Sequence, residues 1–231
     1  MGFIDSLRGL FKKDNVEVNL SEMQQVEQAP RYNQEILDKI NALNIDHKDL
    51  ALDKIEGEAE TINSYLKGLI KDITRYADLM DNKEKQVLIV NAISGKIKVI
   101  TQHSLELKNL IAHLEERYYE HVLGQLKYIN EKTNKEELRN IIEEFERERE
   151  IVRSLDIKIT RIIAYDELFN PEKNKEYEGE IKKEVTKREI HTNINELTSH
   201  LLNEVITKGM SLKSRIEKRN ISDKVKRILE I

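Results

Sequence analysis

The 231-residue sequence predicts an all-α protein: an elongated antiparallel helical bundle or coiled coil of about four long helices, preceded by a short amphipathic helix. Three observations carry this expectation. Only 2 Pro and 8 Gly interrupt the chain, so breakers are scarce and helix formers dominate. Charged residues make up 35%, well above the roughly 25% of ordinary soluble domains. Apolar residues recur at alternating steps of three and four over long stretches, which places them along one stripe of a helix.

The first element is residues 1–13, "MGFIDSLRGLFKK". Phe3, Ile4, Leu7, Leu10 and Phe11 share one helical face and Asp5, Ser6, Arg8, Lys12 and Lys13 fall on the other. Two readings stand. As a core helix, the stripe docks on the bundle. As a foot, it lies in a lipid interface with Lys12 and Lys13 near the headgroups. Full burial of five such side chains is worth roughly 7–15 kcal/mol gross, but immersion is partial and so short a helix is scarcely formed in water. One foot therefore binds marginally and needs a second signal. The polar tether of residues 14–31, without sustained period and running into Pro30, favours the foot.

The bundle is expected over 32–219. Leu52, Ile55, Ala59, Ile62, Leu66, Leu69, Ile73, Tyr76 and Met80 form one seam of heptad type. "MDNKEK" (80–85) is placed to reverse the chain. A second seam follows: Val90, Ile93, Ile97, Ile100, Ser104, Leu107, Ile111, Leu114, Tyr118, Val122, Leu126 and Ile129. Three successive steps of four from Leu114 to Leu126 depart from strict heptads. "QVLIVNAISGKIKVI" (86–100) is rich in β-branched residues and contains Gly95, a pattern open to a β-hairpin; the helical spacing continues through it, and helix is preferred. An unbroken second helix of about 48 residues is about 72 Å long, hence the expectation of a rod. "TNKEE" (133–137) reads as a capping box with Thr133 as cap and Glu136 reciprocating. The next helix carries Leu138, Ile142, Phe145, Val152, Leu155, Ile159 and Ile162. Asn170 and Pro171 then open a last long helix with Ile181, Val185, Ile190, Ile194, Leu197, Leu201, Val205 and Leu212. A short basic helix over 220–231 closes the chain, with Ser222 as cap and Val225, Ile228 and Leu229 on one face.

Charge is unevenly spread. Residues 14–60 hold 12 acidic and 4 basic side chains. Residues 208–227 hold Lys208, Lys213, Arg215, Lys218, Arg219, Lys224, Lys226 and Arg227 against Glu217 and Asp223, a balance of +6. Such a basic end implies an acidic partner: an anionic membrane surface, a nucleic acid, or the protein's own acidic segment. Nucleic acid is disfavoured, because no aromatic follows Tyr177 and base stacking has no platform.

The search for chemistry returns little. Cys and Trp are absent, so there is no thiolate site and no disulfide framework. "HLEERYYEH" sets His113, Glu116, Glu120 and His121 near one face, but Arg117 stands four residues from each histidine, where a cation opposes a metal. The Glu-x-x-His pairs of di-iron bundles are missing, since Tyr118 and Leu197 precede His121 and His200. "SGK" (94–96) lacks the first glycine and the hydroxyl of a phosphate loop: Val90 and Ile97 stand there. No cofactor or metal is expected, and the protein is read as non-enzymatic. No stretch has the ~18 apolar residues of a membrane span, nor does the start read as a signal peptide, so the expected location is cytoplasmic, peripheral on the inner face of a membrane. A short amphipathic head followed by long hairpins resembles, in plan only and through no shared motif, membrane-remodelling proteins of the ESCRT-III and phage-shock type; here the first long hairpin begins acidic, where a membrane-lying one is basic. Self-association or a protein partner is expected through faces the narrow seams leave uncovered. The competing reading is a soluble coiled-coil scaffold or adaptor with its first helix packed in the core.

Overall fold

The computed structural model describes residues 32–78, 83–169 and 196–231. The apolar stripe of Phe3, Ile4, Leu7, Leu10 and Phe11 with Lys12 and Lys13, the 14–31 tether, Met80, the Asn170–Pro171 start and the run from Ile181 to Ile194 lie outside the described residues. The chain divides into two units, Met1–Gln34 and Glu35–Ile231.

The second unit is all-helical and bundle-like, with no strand among the described residues. In order come α1 (Gln34–Asn41), a 3₁₀ turn (His47–Leu50), α2 (Leu52–Asp78), α3 (Lys83–Leu114), a π turn (Glu115–Glu120), α4 (His121–Thr133), α5 (Glu136–Phe169), a second π turn (Leu197–Leu202), α6 (Asn203–Glu217) and α7 (Ile221–Leu229). α2 packs against α3 and α6, and α5 packs against α3, α4 and α7. Cross-helix pairs fix the directions. Lys108 meets Thr160 while Lys127 meets Glu146, so α5 runs back along α3 and α4. Arg161 pairs with Glu196 and Arg215 with Glu148, so α6 runs antiparallel to α5.

The stretch 86–100 is helical, within α3. The exposed face of Gly95 leaves the position of a side chain open, so this glycine marks no turn. The seams are the core: Leu52, Ile55, Ala59, Ile62, Leu66 and Leu69 are buried, as are Ile93 through Ile129 at every seam position, including Ser104. Burial removes roughly 1.5–3 kcal/mol of unfavourable hydration per large apolar side chain.

The steps of four have a structural cause. From Leu114 to Leu126 three turns take twelve residues, where a regular α-helix takes about 10.8. The surplus is about one residue, and the π turn at Glu115–Glu120 accommodates it while keeping Tyr118, Val122 and Leu126 on the buried side. Leu197, Leu201, Val205 and Gly209 repeat the spacing, all buried, and the second π turn opens that run. Tyr119, Leu123, Thr198, Leu202 and Ile206 are buried too, because the locally wider turn carries two adjacent residues inward.

Two expected caps are corrected. Thr133 is the last residue of α4, not the cap of α5; its hydroxyl donates back to the Ile129 carbonyl. The reversal belongs to Asn134, which adopts the left-handed conformation at φ 50°, where asparagine costs little. Asn220, not Ser222, caps α7: its side-chain oxygen accepts from the Asp223 N–H, while Ser222 is buried inside the first turn. A non-helical residue whose amide oxygen reaches the first turn serves the cap better than one already buried within that turn.

Candidate functional site

The basic cluster is the largest predicted site, and the fold pairs most of it with the chain's own carboxylates. Lys213 on α6 reaches α2, meeting Asp53 at 2.6 Å and Glu56 at 3.0 Å, and these two carboxylates hold its pKa well above the ordinary lysine range. Lys208 and Lys158 converge on Glu204, whose carboxyl they hold below its usual range. Arg215 and Arg219 both bind Glu148 on α5, and Arg219 also reaches Glu144 at 3.0 Å. The Arg219 guanidinium lies 4.9 Å from the Phe145 ring centre, a cation–π contact. Lys224 stands 3.8 Å from Glu144. Lys218 and Arg227 remain exposed and Lys226 half-buried; among the described residues these three have no ion-pair partner.

The first π turn is where the elements meet. Tyr118 and Tyr119 point into the core, edge to face with centroids 5.1 Å apart, and both lie about 6 Å from Phe145. Burial pushes the Tyr118 hydroxyl up to about 12, with Glu148 adding to the rise and Arg219 opposing it. Tyr119 is raised further, again by burial first and then by Glu148. On the outer side of the same turn Glu115 accepts from Arg149 at 2.8 Å and from Arg153 at 2.7 Å. Burial pushes its carboxyl up, but the two arginines together outweigh this and hold it below the usual range. Arg149 also binds Glu120.

The histidines flanking this turn hold a strap. His121 Nε2 donates to the Ala42 carbonyl at 2.9 Å and His113 Nε2 to the Asp49 carbonyl at 3.1 Å. Residues 42–50 are thereby pinned along the helix, with Leu43 and Leu50 buried beneath. The strap enters α2 through Ala51 in the left-handed conformation, φ 52°. Each imidazole gives its Nε2 proton to backbone, and Arg117 lies between them in an open cleft of about 580 Å³ with Ile45, Asp49 and Glu116. Among the described residues no group of three or more acidic or histidine side chains could hold a metal ion. A second open cleft, about 520 Å³, lies across the strap, lined by Leu43, His47, Tyr118, Lys218 and Arg219. His103, on the seam flank, pairs with Glu58 at 2.6 Å and stacks on Tyr65.

Sequence reading named the basic cluster and the "HLEERYYEH" constellation but missed their counter-groups. Glu148, Asp53 and Glu56 meet cations 67, 160 and 157 residues away along the chain, a separation no local spacing encodes. Among the described residues no helix is long and apolar enough to cross a membrane. Comparison with protein-family models, with curated proteins and with solved structures found no match.

Proposed function

We propose that the protein is a non-enzymatic helical scaffold that rests peripherally on an anionic membrane surface and self-associates. Its body is an antiparallel bundle of about four long helical columns with coiled-coil seams, and its attachment is the N-terminal foot. The observation that supports the reading is the order of the sequence. The stripe of Phe3, Ile4, Leu7, Leu10 and Phe11 is followed by the polar run 14–31, and among the described residues the buried core begins after it, at Ile36. In this reading the five apolar side chains insert and Lys12 and Lys13 meet headgroups on the cytoplasmic face. The C-terminal cluster adds less attraction than its charge suggests, because five of its eight cations are held by the bundle's carboxylates. Lys218, Lys226 and Arg227 remain. Several feet in one assembly then supply the second signal by multivalency.

The test is co-sedimentation of the full chain, and of a form lacking residues 1–13, with anionic and with neutral liposomes. Binding that needs both the foot and anionic lipid supports the reading; binding by neither form overturns it. A second reading, a soluble scaffold or adaptor for another protein, is favoured by that same internal pairing of the cluster. It is favoured too by two exposed apolar residues on neighbouring helices: Leu105, 52% exposed, and Ile157, 63% exposed, flank the Lys108–Thr160 hydrogen bond.

A further inference from the structure

α5 and α7 pack together and leave a groove of about 380 Å³ between them. Its floor is apolar, made of Ile141 on α5 and Ile228 on α7. Its walls differ in sign. Glu137 and Glu144 sit on α5 at i and i+7, one on each side of Ile141; Lys224 and Arg227 sit on α7 at i and i+3, just before Ile228. Glu144 is occupied by Arg219 and approached by Lys224. Glu137 and Arg227 are exposed, and among the described residues neither is in an ion pair or a side-chain hydrogen bond.

We propose that this groove is the surface through which two copies of this chain associate. The inference rests on the self-association in the function proposed above and names its interface; it does not need the membrane. Charge arrangement selects the occupant. A two-fold rotation about an axis lying along the groove preserves helix direction and exchanges the walls. The acidic wall of each copy then meets the basic wall of the other, twice over, with the two apolar floors facing each other between them. An anionic lipid or nucleic-acid surface meets repulsion from the Glu137–Glu144 wall, and a basic partner meets repulsion from Lys224 and Arg227. A second copy presents both signs in the required order.

Sedimentation velocity of the full chain tests this with R227E, E137R and the exchange variant E137R/R227E, each checked for folding by circular dichroism. The wild type dimerises. Each single change sets like charges together at two symmetry-related places and weakens the dimer about tenfold or more; the exchange variant recovers it. A monomeric wild type, single variants that dimerise normally, or an exchange variant no better than the singles overturns the proposal. A dimer that disappears on removal of residues 1–13 and ignores the charge changes assigns association to the N-terminal segment and also overturns it. Failure of liposome binding with the dimer and its charge dependence intact removes the membrane reading and leaves this one standing.

Discussion

Arg219, in the turn between α6 and α7, grips Glu148 on α5 through both carboxylate oxygens while its guanidinium covers Phe145. Glu148, with a side chain only 12% exposed, also accepts Arg215 at 2.9 Å. This one carboxylate therefore ties α6, and the turn into α7, to α5 directly beside the tyrosine pair of the π turn. E148A leaves two guanidiniums without their charge-assisted partner, and hydrogen bonds to charged groups contribute about 1.5–3 kcal/mol each when lost from partly buried sites. The expected loss is about 2 kcal/mol in chemical denaturation, with R219K retaining part of the stability because charge survives and the fork does not.

If the π turn at Glu115–Glu120 holds one surplus residue, removing one exposed residue from it returns the helix to ordinary α geometry with its seam in register. Deletion of Glu116 is therefore expected to preserve cooperative unfolding. Deletion of Glu106, exposed in regular helix, rotates everything beyond it by about 100° relative to the core and is expected to abolish the folded state. Thermal melts by circular dichroism separate the two; equal damage from both deletions contradicts the account of the π turn.

Stability should fall at both ends of the pH range, for opposite reasons. Glu115 and Glu204 have folded pKa values below the usual 4.5, so their contribution is present above pH 4.5 and is lost as pH falls through the lower folded value. Tyr118 and Tyr119 are raised above 10, Tyr118 to about 12, so their contribution is present below pH 10 and is lost as pH climbs through the folded values. Absorbance titration of tyrosinate should show the Tyr118 and Tyr119 hydroxyls ionising late, together with alkaline unfolding. Ionisation of every tyrosine near pH 10 in the folded protein would contradict this burial.

Backbone substitutions discriminate three sites. G95A fills open space on an exposed helical face and should add about 0.5–1 kcal/mol. A51G relieves the left-handed alanine at φ 52° and should add about 1 kcal/mol. G209A sets a new Cβ 3.2 Å from the Ala59 Cβ on α2; neither atom can rotate away, so a net loss of about 1 kcal/mol is expected. Urea unfolding of the three variants gives the order directly.

The all-α class, the positions of the seams and the helical state of 86–100 were legible in the sequence because they rest on periodicity, which is a local property of a helix. Even the first π turn left a trace, as three steps of four from Leu114 to Leu126. Caps were less legible. Thr133 and Ser222 have the right chemistry for an N-cap, but Thr133 ends α4 with Asn134 as its left-handed C-cap, and the Asn220 side chain caps α7; composition does not reveal where the backbone breaks. The basic cluster shows the limit most clearly. Its eight cations could be counted in the sequence, yet whether they face a partner or the protein's own carboxylates depends on Lys213 meeting Asp53 and Arg219 meeting Glu148. Those pairs exist only because helices distant in sequence pack antiparallel. Coulomb attraction acts through space over a few ångströms, so only the tertiary structure decided where that charge is spent.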